Sequence, residues 1–182
     1  MKITRYKDIL PFTKSAAYAV DYFPKNLLDW IKEEQEHMGL QLCPDFQRGH
    51  VWTKGQQSAY IEYVLRGGKS GRDIYFNCPF WDDGKRSEQG GYQDYVCVDG
   101  LQRITAWKRF FENELRVFGS LSSEFEDSIP HSVTMRVHVN DLQTREDVLQ
   151  WYLDMNAGGT PHTSAELNRV RNLLENERKK MR

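Results

Sequence analysis

Little in this chain is in excess, and most of what is scarce excludes a class of function. Its 182 residues include three cysteines, Cys43, Cys78 and Cys97, an odd set with no Cys-x-x-Cys pair. A disulfide framework and a zinc knuckle both need paired cysteines, so neither is expected. No leader pattern and no apolar run of membrane-spanning length occurs, so a cytoplasmic protein with no membrane partner is expected. Neither sign of charge is in surplus: 25 Lys and Arg against 26 Asp and Glu give a formal net charge of -1. A global electrostatic pull toward nucleic acid is therefore absent. The Gly-x-x-x-x-Gly-Lys-Ser/Thr spacing of a Walker loop is missing. His50, His131, His138 and His162 stand far apart, without metal-ligand spacing. No repeat or linker divides the chain. One domain over residues 1–182 is expected, long enough to bury about two-thirds of its unfolded surface.

What the chain does have is concentrated in three segments. In the first, Tyr95-Val96-Cys97-Val98 reads as a buried strand, which Asp99-Gly100 then breaks. Leu101, Ile104, Trp107, Phe111 and Leu115 follow at helical spacing. Asp99 is placed to accept a hydrogen bond from an orphan amide at the helix start, and Gly100 to allow a close backbone approach. The same helix end offers unpaired N–H groups to an anion, with Gln102 and Arg103 just inside it. These residues equally suit an ordinary strand-to-helix junction. Their meaning therefore depends on the other two segments.

The second segment is Pro44-Asp45-Phe46-Gln47-Arg48-Gly49-His50-Val51-Trp52. Pro44 closes a short strand over Gln41 to Cys43, and Thr53 with Gln56 forms a capping box for the next helix. Gln47, Arg48 and His50 fall on the loop between, while Trp52 reads as a packing anchor. Cys43 and Cys97 sit in apolar strand contexts and are expected in the core. The third segment is Met155-Asn156-Ala157-Gly158-Gly159-Thr160-Pro161. A helix from about Arg145 ends there, and Gly158 or Gly159 suits a left-handed C-cap. That leaves Asn156 and Thr160 without a structural reason.

Elsewhere the elements are ordinary. The stretch to Tyr22 has little periodicity; Pro24 then suits the first turn of a helix carrying Leu27, Leu28, Trp30 and Ile31. A second helix buries Tyr60, Ile61, Val64 and Leu65 and ends at Gly67-Gly68. Asp73 to Phe76 is a strand, joined to Tyr95–Val98 through a polar hairpin loop over Asp82 to Asp94. Val133 to Val139 alternates as a half-exposed strand. Thr144 with Asp147, and Thr163 with Glu166, cap the last two helices. The fold class is α+β, helices outweighing strands, with a sheet order that local pattern does not give.

The order Pro-x-Phe-Gln-Arg-x-x-Val-Trp, then Val-Asp-Gly-x-Gln-Arg, then Asn-x-Gly-Gly-Thr-Pro resembles the N-terminal domain of GmrSD-type restriction systems, the DGQQR-motif family. The resemblance spans about Lys25 to Leu174. It implies a ParB N-terminal or sulfiredoxin-like domain with a small mixed sheet and several helices. It also implies nucleoside triphosphate binding and hydrolysis, coupled to defence against modified foreign DNA. By motif match, Asp99, Gly100, Gln102 and Arg103 form the nucleotide site, Gln47 and Arg48 face them, and Asn156, Gly158, Gly159 and Thr160 form a third wall. Leu101 stands where the family more commonly has Gln. The Gly-Gly-Cys-His-Arg surroundings of a sulfiredoxin cysteine are missing, so redox catalysis is not expected. Family members continue into a His-Asn-His nuclease domain; a chain ending at Arg182 is not expected to cut DNA by that route.

The chemistry expected of such a site follows from residue type. Arg48 and Arg103 would clamp phosphates, since a guanidinium contacts them bidentately. Gln47 and Gln102, with Asp99, would serve catalysis by orienting water or a phosphate oxygen. Mg2+ would take Asp99 and Asn156 as oxygen ligands, with Asp45 as a third candidate. Two other readings stay open. One is a DNA-binding or modification-sensing module using Arg72, Lys85, Arg86 and the basic helix over 163–182, with Arg169, Arg171, Arg178, Lys179, Lys180 and Arg182. The other is a partner-binding domain that pairs with a separately encoded nuclease or effector.

Overall fold

Pro24 opens the first long helix, α1 (Pro24–His37), where its fixed φ suits the first turn and its missing N–H leaves nothing unpaired. The computed structural model to which this helix belongs describes residues 2–9, 18–81, 90–156 and 164–180. The next helix, α2 (Lys54–Leu65), starts in the expected capping box: the Gln56 amide donates to the Thr53 hydroxyl at 3.3 Å, and the Thr53 amide to Gln56 Oε1 at 2.9 Å. Ile61 and Val64 are fully buried on its inner face. After it come α3 (Leu101–Phe111), α4 (Arg145–Asn156) and α5 (Ser164–Lys180).

Four strands form one mixed sheet: β1 (Tyr18–Tyr22), β2 (Asp73–Asn77), β3 (Val96–Asp99) and β4 (Met135–Asn140), in the order β1-β4-β2-β3. β1 and β4 are antiparallel, β4 and β2 parallel, β2 and β3 antiparallel. Alternation along the strands gives the sheet two apolar faces. Ile74, Phe76, Cys97, Met135 and Val137 pack on one side with Leu27, Ile61, Ile104 and Trp107 from α1, α2 and α3. Val96 and Val98 pack on the other side with Leu149 and Tyr152 of α4, Val170 and Leu174 of α5, and Phe46 from the loop between α1 and α2. The chain is thus an α+β domain with β3 covered on both faces.

One irregularity positions the site. Phe76 is opposite Cys97 while the preceding residue, Tyr75, is opposite Asp99. One step on β2 therefore matches two on β3, and Val98 is the extra residue of a bulge. A bulge bends its strand and re-aims the residue that follows, which here is Asp99.

Several expectations need correcting. Tyr18–Tyr22 is a strand, although the N-terminal stretch has little long-range periodicity. Its five residues do alternate, with Tyr22 against the core and Ala19 and Asp21 outward, but so short an edge strand takes its definition from β4. Gln41 to Cys43 makes only a single parallel bridge, Gln41 to Val96, and Cys43 is exposed; Cys97 and Cys78 are the buried thiols. The capping role given to Asp99 belongs to Gly100, and no side chain caps α3. Thr163 and most of the loop after Trp81 (residues 82–89) lie outside the described residues. Among the described residues, no helix is long and apolar enough to cross a membrane.

Candidate functional site

Gly100 begins the site. It is the N-cap of α3 at φ +124°, a conformation open to glycine alone at low cost. A Cβ there would lie 2.8 Å from Ile74 Cγ2 and 3.0 Å from Cγ1, so the start of α3 rests directly on β2. Gly100 supplies no side-chain cap; the Leu101 N–H meets the Cys97 sulfur, and the rest of the first turn of α3 keeps the N–H groups that make helix starts attractive to anions.

That turn lines a small polar cleft of about 50 Å³, together with Gln47, Arg48, Val98, Asp99, Tyr152 and Asn156. Residues far apart in sequence meet there: the loop before α2, the β3–α3 junction and the end of α4. Gln47 is almost wholly buried, and its Nε2 donates to the Val98 carbonyl at 3.1 Å. Its Oε1 has no hydrogen-bond partner among the described residues. The nearby Cys97 thiol, whose pKa burial pushes up to about 12, stays protonated and is a weak donor. Arg48 Nη1 lies 3.6 Å from Glu166 Oε2 on α5, a partly shielded ion pair. Asn156 Nδ2 donates to the Tyr152 carbonyl at 2.7 Å, one helical turn back. Tyr152 was not foreseen; burial pushes its phenol up to about 12, the Arg48 charge opposing and Glu166 and Asp99 adding. At neutral pH it is a proton donor.

Two expected site residues have other engagements. The Gln102 amide accepts from the Val51 and Trp52 N–H groups at 3.0 and 3.1 Å and donates to the Gly49 carbonyl at 3.1 Å. Gln102 lines the cleft, but its side chain staples the loop to α3. Arg103 does not line the cleft: its Nη1 donates to the Asp73 carbonyl at 2.5 Å and to Asp99 Oδ2 at 3.1 Å. It holds Asp99 from behind. Asp45 is likewise taken, by Arg145 Nη2 at 2.6 Å on its carboxylate and by Arg169 on its carbonyl. His50 is exposed on the loop, with partial burial and the Arg109 charge pushing its pKa down. Gly158, Gly159, Thr160 and His162 lie outside the described residues.

Among the described residues, no three of His, Cys, Asp and Glu converge as a metal cluster. Asp99 and Asn156 do share the cleft, and Asn156 turns its amide N–H away toward Tyr152. Two protein oxygens suit Mg2+, which commonly completes its octahedron with phosphate oxygens and water.

A larger apolar groove of about 530 Å³ lies elsewhere, with Phe110, Phe111, Phe118 and Phe125 in its wall. It contains none of the three motif segments. The smaller cleft is the better candidate because charged and unmet polar groups converge on it. Four basic residues of the C-terminal helix make surface contacts within the fold. Arg178 binds Glu146 and Gln150, Lys180 binds Glu177, Arg169 binds the Asp45 carbonyl, and Arg171 binds Asn168. Arg72 donates to the carbonyls of Gly68, Ser132 and Val64.

No curated protein and no solved structure matches the chain. A family model, that of the GmrSD restriction endonuclease N-terminal domain, matches residues 27–132. This span includes the 44–52 loop, β3 and all of α3; Tyr152 and Asn156 lie beyond it. With more than half of its 182 residues so matched, the chain belongs to the GmrSD restriction endonuclease N-terminal domain family.

Proposed function

We propose that the cleft binds the phosphates of a nucleoside triphosphate with Mg2+ and promotes hydrolysis, in the service of the DNA restriction with which the family is associated. The observation that carries this reading is the meeting of Arg48, the uncapped start of α3 and the unpartnered Gln47 Oε1 in one cleft. Arg48 and the N–H groups of the first turn of α3 hold phosphate oxygens. The protonated Tyr152 hydroxyl donates to another. Gln47 Oε1, held in place through Nε2 on the Val98 carbonyl, accepts from the attacking water and orients it. Asp99, anchored by Arg103, and Asn156 would hold Mg2+, which supplies positive charge against the charge of the transferring phosphoryl group. Gln102 positions the loop that presents Arg48.

The test is a melting panel with the four ribonucleoside triphosphates, with and without Mg2+, and phosphate release measured on the same samples. A ligand at a hundredfold excess over its Kd stabilises the fold by about 2.7 kcal/mol, or about 5–10 °C for a chain of this size. Arg48→Ala should remove the shift while leaving the melting point of the free protein within about 2 °C, because its ion pair is partly exposed. No shift with any nucleotide at about 1 mM, where Kd values of 10 μM would be saturated, refutes the reading.

A further inference from the structure

The apolar groove at the end of α3 is bordered by a residue that the fold itself gives little reason for. Phe118 and Gly119 are the central pair of a tight turn closed by two hydrogen bonds. The Val117 N–H donates to the Ser120 carbonyl at 2.8 Å, and the Ser120 N–H to the Val117 carbonyl at 3.0 Å. Both central residues have positive φ, +51° and +83°. Asn-Gly is the pair that suits such a turn, because asparagine and glycine enter the left-handed region at least cost. A phenylalanine there is strained. Its ring is 45% exposed, with the Arg66 guanidinium carbon 5.0 Å from the centroid. The backbone beneath it is held firmly: the Phe118 N–H donates to Glu62 Oε1 at 2.9 Å, and Arg116 Nη1 to the Gly119 carbonyl at 2.9 Å.

Beside this ring the groove of about 530 Å³ is floored by Phe110, Phe111 and Leu65 and flanked by Phe125, Ile129 and Pro130. Phe125 is 38% exposed and meets Phe110 edge-on at 6.0 Å. Phe23, also 38% exposed, packs edge-on against His131, the chain neighbour of Pro130. Phe23, Phe118 and Phe125 are the phenylalanines exposed among the described residues, and all three lie on or beside the groove. Exposed rings gathered around a hollow mark a contact surface. Two charges complete it. Lys25 and Asp127 line the groove, both are exposed, and neither has an ion-pair partner among the described residues.

We propose that a second copy of this chain covers the groove in a two-fold symmetric dimer, each Phe118 entering the partner's groove. A symmetric interface sets one patch against itself, so the projecting group and the hollow that receives it must share a face. Phe118 and the groove do so. The charges must also match under the two-fold axis, and they do when Lys25 of each copy faces the partner's Asp127. A partner of a single charge would meet one favourable and one opposed group, whereas a second copy satisfies both. The formal net charge of -1 leaves little repulsion between copies. Burial of the ring in the dimer offsets the strain of its turn. The first turn of α3 lines the cleft and its last turn the groove, so the dimer leaves the cleft open, and the proposal is independent of the nucleotide reading.

Sedimentation velocity on the full chain between about 1 and 100 μM should show monomer giving way to dimer as concentration rises. Phe118→Asn places in the turn a residue suited to it, so it should weaken association about tenfold or more while preserving the melting point of the dilute monomer. Lys25→Glu and Asp127→Lys should each weaken association about three- to tenfold, since each sets like charges together at two symmetric places. Combined, they should restore it to within about twofold of the parent. A monomer at about 100 μM, which leaves the groove to some other molecule, overturns the proposal. So does a dimer whose affinity Phe118→Asn leaves unchanged, or a double charge reversal that associates no more tightly than the single ones.

Discussion

Replacing Gly100 with alanine tests the geometry on which the whole site rests. Two costs arise at once. At φ +124° an L-residue is strained, by about 1–3 kcal/mol. The added methyl also lies 2.8, 3.0 and 3.2 Å from Cγ2, Cγ1 and Cβ of Ile74, a fully buried residue of β2 with no room to yield. Overpacking of this kind costs about 1–3 kcal/mol. The total of about 2–6 kcal/mol is a large share of the 5–15 kcal/mol that holds a typical domain together. Urea denaturation monitored by tryptophan fluorescence should show the midpoint falling with an unchanged slope. Gly49→Ala is the control, because its Cβ meets nothing within 4 Å. The two costs separate in a double-mutant cycle: combined with Ile74→Ala, the alanine at 100 should cost only its φ strain, so the pair falls short of additivity by about 1–3 kcal/mol. A Gly100→Ala protein within about 0.5 kcal/mol of the parent would show that α3 does not sit against Ile74 as described.

Gln102→Leu should destabilise the fold by about 0.5–1.5 kcal/mol, since it removes three hydrogen bonds whose backbone groups are mostly open to water. It should also speed hydrogen exchange at the Val51 and Trp52 amides, and unchanged exchange there would argue against the staple. Glu34→Gln changes the pH dependence of stability. Its native pKa is raised above 4.5, so the unfolded chain gives up this proton first, and stability falls as pH rises through that window. Removing the charge should therefore raise the melting point at neutral pH and not at about pH 4, below the ordinary glutamate value; a difference independent of pH would contradict the burial of this carboxyl.

What was legible in the sequence was local. The Thr53–Gln56 and Thr144–Asp147 caps, the Pro24 helix start and the glycine stop at 67 all form from residues within a turn of each other. The strand, break and helix around Asp99 and Gly100 were legible for the same reason. The use made of the polar groups was not. Arg103 has the charge of a phosphate ligand, but a β2 carbonyl thirty residues away claims it. Gln102 has the chemistry of a water-orienting group, but three backbone groups of another loop occupy it. Asp99 looks like a cap until Gly100 takes that position and the bulge at Val98 turns the carboxylate toward Arg103. Tyr152 and Glu166 join the site only because α4 and α5 pack over β3. A faint helical signal existed for one of them: Tyr152 lies one turn before Asn156 and so shares its face.

The charge balance around the cleft constrains what can occupy it. Arg48 is paired with Glu166, and Arg103 with Asp99, so two guanidinium groups face two carboxylates. The side chains bring no net positive charge, and the favourable field comes from the start of α3 alone, equivalent to about half a positive charge. A free triphosphate entering such a site must compete with Glu166 for Arg48 and meets the Asp99 carboxylate, whose charge Arg103 offsets only from behind. A triphosphate that arrives with a divalent cation reverses the second effect, because the carboxylate that repelled the naked anion then has a positive partner. On the proposed reading, Glu166 and Asp99 therefore act as a selection against uncomplexed polyphosphate. Arg48 contributes less by attraction over distance than by its planar geometry once Glu166 has been displaced. The small volume among the described residues agrees with this division: it suits a phosphoryl group and its water, leaving the rest of a nucleotide to be held outside it.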